Sequence, residues 1–339
     1  MVAKITMTEF AGAAHNPALP VPVNPYDPGR SPAGSSSGSG VAVAAGLLPA
    51  ALGSDTVASI RLPAAWNGCV GFKPTYGRVS RHGVFPLAGT YDHCGPLTRT
   101  VADADIVARA MAGADVSDVT ARTDAYGEPL DAVAGLRIGW DEAFVTENVH
   151  PDVTTSSRAA IDALADAGAE VVEVTVPLRT EAVRPYADLL AAEIAAAHAG
   201  LWPERHVEYT PSFGGILASS TLVSRDDVVA AHEFRIVFRH AMDRLFASVD
   251  AVVTPTIPIN APPVSPAGDT PFDENTVELL TFTWLWNFCG APAVSVPWGL
   301  DDAGLPNSVQ LIAAPGADPT AIAVAAAAEA AAPVLPPPS

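Results

Sequence analysis

The stretch from residue 136 to residue 176 constrains the fold most. Leu136 to Trp140 reads as a buried strand, residues 152–167 carry the apolar spacing of an amphipathic helix, and Glu170 to Val176 (EVVEVTV) is a β-branched strand. A helix delivered straight into a strand is the αβ unit of a layered sheet. Thr100-x-x-Asp103 opens a capping-box-like pattern ahead of ADADIVARAMAG, which Gly113 would end, and Ser224-x-x-Asp227 caps a long helix to about Phe246. A strand follows at Ala251 to Thr254, then short buried strands at Ala293 to Val296 and Val309 to Ile312, and an Ala-rich closing helix over 319–332. The alternation predicts an α/β protein without internal repeats. With 49% hydrophobic residues among 339, the chain has apolar material for a sizeable core.

Eighteen Lys plus Arg stand against 37 Asp plus Glu, a net charge of −19. A chain so acidic, with no Lys/Arg run, repels polyanions, which excludes direct nucleic-acid binding and disfavours an anionic membrane. The apolar stretch Val41 to Leu52 is interrupted by Gly46 and Pro49 and falls short of the ~20 residues that span a bilayer. Met1 to Gly12 has no apolar signal-peptide region. Cys69, Cys94 and Cys289 are odd in number and form no CxxC pair, so they read as three reduced thiols of a cytoplasmic protein.

His232-Glu233 begins an HExxH-like string, but Ile236 stands where the second ligand belongs. Lys73 in GFKPT and Lys4 in AKITM are the chain's only lysines, neither lies in a phosphate loop, and no GxGxxG follows a strand. Neither a metal nor a cofactor is implied. Residues 11–40, rich in Pro, Gly, Asn and Ser, read as an irregular loop that feeds the buried helix begun by VAVAAG. Within it Gly34-Ser35-Ser36-Ser37-Gly38 satisfies the GxSxG pattern, which would make Ser36 the nucleophile of a hydrolase elbow. The prolines of NPYDPGRSPA forbid the central strand that such an elbow requires. A second serine, Ser59, ends the apolar segment in GSDTVASIRLPA, where Pro63 is expected to stop any helix.

Together these segments resemble the amidase signature family, serine hydrolases with a Ser-Ser-Lys triad. AGSSSGS (33–39) is similar to the family's GGSSGGS, and GSDTVASIRLPA to its GTDTGGSIRxPA. The likeness continues through Asn67 to Ser80 and Asp92-His-Cys-Gly-Pro96, upstream through Ala3 to Phe10 and NPYDPGRSP, and near the C-terminus through Trp286 to Pro297 and Leu305 to Gln310. It implies one amidase-signature domain over 1–339: a signature core at about 3–113, a variable substrate region at about 114–279 and a family-like part at 280–332. The fold implied is a central mixed β-sheet flanked by helices.

The resemblance implies an amidase that acts on a C–N bond other than a peptide's, with Ser59 as nucleophile and Ser35 as bridging serine, held by a cis peptide in the family. The backbone N–H groups of Thr56, Val57, Ala58 and Ser59 would make the oxyanion hole, Asp55 and Arg61 would support the loop, Ser36 would be a hydrogen-bonding neighbour, and Lys73 a structural residue. Val57-Ala58 replaces the family's Gly-Gly, whose glycines permit positive φ. The family's base lysine precedes the segment that here begins at Lys4, so the expectation is a chain that starts downstream of its triad lysine, through a misplaced start or a truncated gene, or one that no longer hydrolyses. Missing N-terminal elements would then expose a sheet edge, which predicts poor solubility or a homo-oligomer. The expected partner is a small amide. The alternatives are an amidotransferase A-like protein of the glutamyl-tRNA type and a catalytically inactive amidase-like fragment or binding protein. Trp284, Trp286 and Phe288 read as core rather than as walls of an acyl pocket.

Overall fold

The computed structural model describes residues 2–12, 14–128, 130–264 and 276–338. Among them eight strands form one mixed sheet: β1 (Ala50–Asp55), β2 (Val70–Lys73), β3 (His93–Thr98), β4 (Arg137–Trp140), β5 (Glu170–Glu173), β6 (Ala251–Pro255), β7 (Ala293–Leu300) and β8 (Pro306–Ala313). Their order is β1-β3-β2-β7-β8-β6-β4-β5. All neighbours from β1 to β6 are antiparallel, while β6, β4 and β5 run parallel. The parallel pair β4 and β5 needs a crossover, and the helix Pro151–Asp166 supplies it, as the amphipathic pattern of that stretch predicts.

Alternation along the strands builds two cores. Ala251 and Val253 of β6 pack on one face with Ile161, Val294, Leu311 and Val324. Val252 faces the other way, toward Tyr91, Phe144, Tyr186, Trp284, Trp286 and Phe288. That second face also carries a polar row: Gln310 is in register with Thr254 on one side and Ser295 on the other. The row marks the side on which the site is built.

Several helices start where a side-chain cap dictates. Thr100 accepts the Asp103 N–H at the head of Val101–Met111, and Ser224 and Asp227 close a full capping box on Arg225–Ser248. One expectation is overturned at Pro63, which lies inside the helix Arg61–Asn67 instead of ending it. It occupies the first turn, where the missing N–H has no intrahelical partner in any case. Gly68, at φ 70°, then ends the helix in the left-handed conformation. No helix among the described residues is long and apolar enough to cross a membrane.

Candidate active site

Strand β1 delivers Asp55 to a turn, residues 56–60, that runs into the Arg61–Asn67 helix. The turn is anchored by charge. The Asp55 carboxylate accepts the Ile60 N–H (3.2 Å) and the Arg61 N–H (3.4 Å), as well as Arg61 Nε (3.0 Å) and a terminal guanidinium nitrogen (2.9 Å). Burial alone would raise its pKa, but the Arg61 charge and hydrogen bonds, with Lys73 and Asn287, hold it well below the usual carboxylate range. Arg61 donates further to the Thr283 carbonyl (3.0 Å), Gln310 Oε1 (3.2 Å), Asn287 Oδ1 (2.6 Å) and the Val57 carbonyl (3.0 Å). Asn287 Nδ2 in turn donates to the backbone carbonyl and Oδ1 of Asp55. The buried pair is thus hydrogen-bonded on every side, the condition under which a buried ion pair is tolerated.

Each carbonyl of the turn is engaged. The Thr56 carbonyl accepts the Tyr186 hydroxyl (3.4 Å), the Ala58 carbonyl the Leu62 N–H (2.7 Å), and the Ser59 carbonyl the Ser36 N–H (3.2 Å). The N–H groups of Thr56, Val57, Ala58 and Ser59 donate to no group among the described residues. Four consecutive donors therefore stand without acceptors beside a serine that is only half-buried. Val57 and Ala58 are absent from the non-glycine residues of positive φ, which are Phe10, Ala11, Ala33, Asn148 and Leu178. The replacement of Gly-Gly thus imposes no left-handed strain here.

The serine run meets this turn from the side. The Gly34–Ser35 peptide is cis. Ser36 stitches the segment down: its N–H reaches the Ser59 carbonyl, and its hydroxyl accepts the Ser54 N–H (3.2 Å) and donates to the Ser54 carbonyl (3.3 Å). No strand precedes it among the described residues, and the helix Ser37–Ala44 begins directly after, so Ser36 is a cross-link rather than an elbow nucleophile. Ser37 Oγ lies 2.8 Å from His15 Nε2. Ser35 is 2% exposed and its hydroxyl is buried with no hydrogen-bond partner among the described residues. An orphaned buried hydroxyl costs about 1–3 kcal/mol, so this one does not serve to hold the fold together.

Lys73 closes β2 and is fully buried. Its Nζ donates to the carbonyls of Ala291 and Trp286 (3.5 Å) and sits 3.4 Å from His93 Nε2. Burial, reinforced by the Arg61 charge, pushes its pKa down to about 7. His93 Nδ1 meets the carbonyls of Tyr91 (2.6 Å) and Asp55 (3.2 Å). Lys73 makes no hydrogen bond to Ser35, Ser36 or Ser59 among the described residues, and Lys4 is exposed. Trp284, Trp286 and Phe288 are buried core, at most 3% exposed.

Asn287, Gln310 and Asp92 stand in the sequence only as letters within family-like motifs, without a role. Tyr186, in the variable region, carries no sequence signal at all.

A mixed sheet whose edge strand feeds a turn of free amides beside a serine run defines an amidase-type hydrolase fold, and the Amidase family model matches residues 1–322. The chain belongs to the amidase signature family. It is 37% identical over 345 residues to the A subunit of glutamyl-tRNA(Gln) amidotransferase from Synechococcus sp. (strain RCC307), covering 92% of this chain and 70% of that protein. Among solved structures it is similar to the corresponding protein from Thermotoga maritima (TM-score 0.87, 32% identity, 99% of this chain and 76% of that one). It is also similar to a bacterial aryl acylamidase of the amidase signature family (TM-score 0.80, 27% identity, 91% and 67%).

Proposed function

We propose that the chain hydrolyses a carboxylic amide through an acyl-enzyme on Ser59. The Ser59 hydroxyl attacks the amide carbon while Ser35 takes its proton and passes it to a base. The N–H groups of Thr56, Val57, Ala58 and Ser59 receive the oxyanion of the tetrahedral intermediate. Collapse breaks the C–N bond, the proton goes to the leaving ammonia or amine, and water then releases the acid from Ser59. The observation that carries this reading is the row of four amides beside Ser59 that meet no acceptor among the described residues: such donors are free to receive an oxyanion, and one is worth about 3–4 kcal/mol in other hydrolases. The buried Ser35 hydroxyl, on the segment that Ser36 ties to the Ser59 carbonyl, has no hydrogen-bond partner among the described residues and is therefore free to take up a proton from Ser59. Neither lysine is hydrogen-bonded to Ser35 among the described residues, and the base beyond it is unassigned.

The substrate proposed is a small amide, with no cofactor, metal or nucleic acid, and three free thiols fit a reducing cytoplasm. The test is labelling with a serine-directed fluorophosphonate. Ser59 should be modified, and Ser59→Ala should abolish the label. An unlabelled, folded protein sinks the hydrolase reading and leaves an inactive amidase-like protein. Similarity to the amidotransferase proteins favours a second reading, ammonia release from glutamine for partner subunits. It requires that glutamine be consumed and that a second protein co-purify.

A further inference from the structure

The four free amides raise the question of what holds them in place, since a turn whose own donors are uncommitted is fixed only from outside. Its carbonyls are gripped by Arg61, Tyr186, Leu62 and Ser36, but a single side chain of the turn is held by an ionisable group. Thr56 Oγ1 donates to Asp92 Oδ1 at 2.6 Å, with both residues buried. Asp92 is itself immobilised. It accepts the N–H of Leu87 (3.0 Å) and of Ala88 (3.2 Å), and the residues before it are clamped: Thr90 by Glu193 and Arg235, Tyr91 under the Arg235 guanidinium (4.5 Å) and against the ring of Tyr186 (5.1 Å).

We propose that Asp92 is the positioning residue of the 56–59 turn: its carboxylate, by accepting the Thr56 hydroxyl, sets where the four amides point. This rests on the reading of those amides as the oxyanion hole. Asp92 touches no reacting atom and acts only through Thr56.

The carboxylate takes bonds from three donors, so ionised it satisfies all of them. Protonated, one of its oxygens becomes a donor itself, and of these three partners only the Thr56 hydroxyl can turn to accept it. The two backbone N–H groups are fixed by the chain, and the Thr56 hydroxyl is the one that rotates. Its bond therefore breaks or reverses, and either way loses the strength that the charge lends it. Burial lifts the Asp92 pKa to about 6, against the hydrogen bonds from Thr56, Ala88 and Leu87 and the charge of Arg81. Arg81 is the cation that faces it, itself 3.9 Å from Asp118; Cys94 is the other titratable neighbour, its thiol raised by burial and by Asp92. The grip should then loosen in mild acid.

The experiment is an NMR titration of the whole chain from about pH 4.5 to about pH 8, following the amides of residues 56–59 and the Asp92 carboxyl carbon. The amides should shift with the Asp92 midpoint near pH 6. Asp92→Asn should abolish that titration, and Thr56→Val should silence the turn while Asp92 still titrates. Amides that stay flat through the Asp92 titration, or that move equally in Asp92→Asn, overturn the proposal. In the second arm the rate of Ser59 labelling by the fluorophosphonate should fall below about pH 6, and in Asp92→Asn it should be about tenfold lower and flat across that range. A rate that keeps the same acid limb in Asp92→Asn counts against Asp92. Absence of label at every pH counts against the hydrolase reading alone, and the titration still decides the role of Asp92.

Discussion

Arg61 turns its five guanidinium N–H groups on six acceptor atoms, one N–H being shared, and with Asp55 it ties the 56–60 turn to β8 and to the Trp284–Cys289 helix. Asp55→Asn would leave that guanidinium buried without its counter-charge, and we expect a loss of about 3–5 kcal/mol in denaturant unfolding. A loss under about 1 kcal/mol would mean that Asn287 and Gln310 suffice to hold Arg61. Asp92 differs in sign. Because its pKa is raised on folding, the native state binds more protons than the unfolded chain between the ordinary carboxylate range and about pH 6. Its contribution to stability is therefore full below that window and lost as pH rises through it, so the stability difference between wild type and Asp92→Asn should shrink from about pH 4 to about pH 6. At this scale Ser35, Ser36, Ser59, Asp55 and Arg61 stand out in the sequence as candidates, because they sit in short contiguous patterns. Tyr186 and Asp92 do not, because their roles come from chain segments 130 and 36 positions away from Thr56.

Helices and strands divide by how locally they are specified. The Arg225–Ser248 helix carries its own start signal, and Ser224→Ala removes the hydroxyl that accepts the Asp227 N–H while the Ser224 N–H can still donate to the Asp227 carboxylate; we expect a loss of about 1 kcal/mol by thermal unfolding. Of β6, β7 and β8 the buried apolar runs Ala251 to Thr254, Ala293 to Val296 and Val309 to Ile312 could be read directly, whereas the extension of β7 to Leu300 and of β8 back to Pro306 could not. Strands β1 (AALGSD) and β3 (HCGPLT) could not: glycine, serine and proline give them little strand propensity. Their pairing explains the choice. Gly53 and Gly95 face each other in register, a Cβ on Gly53 would come within 2.7 Å of Ser36 Oγ, and one on Gly95 within 2.2 Å of the Phe72 carbonyl. The strands are poor by propensity because the serine run and β2 must approach them closely, a tertiary demand that no local window contains.

Across the molecule the two sheet margins are unlike. Strand β5 lies at one margin with Glu170 and Glu173 exposed, the usual charged deterrent to pairing. Strand β1 lies at the other, where Leu52 is 58% exposed and the Asp55 carboxylate is turned inward on Arg61. Light scattering should reveal concentration-dependent association despite the net charge of −19, and Leu52→Lys should reduce it; a wild-type monomer at high concentration would dismiss the β1 edge as an adhesive surface. The burial of Lys73 has another outcome for the whole chain. Of its two lysine amines only Lys4 meets solvent, close to Thr6, whose carbonyl takes the Gly38 N–H. An amine-seeking dye or resin therefore finds one lysine, and it stands next to the serine run, so the arginine-rich composition has left the folded protein with a single lysine handle beside its candidate site.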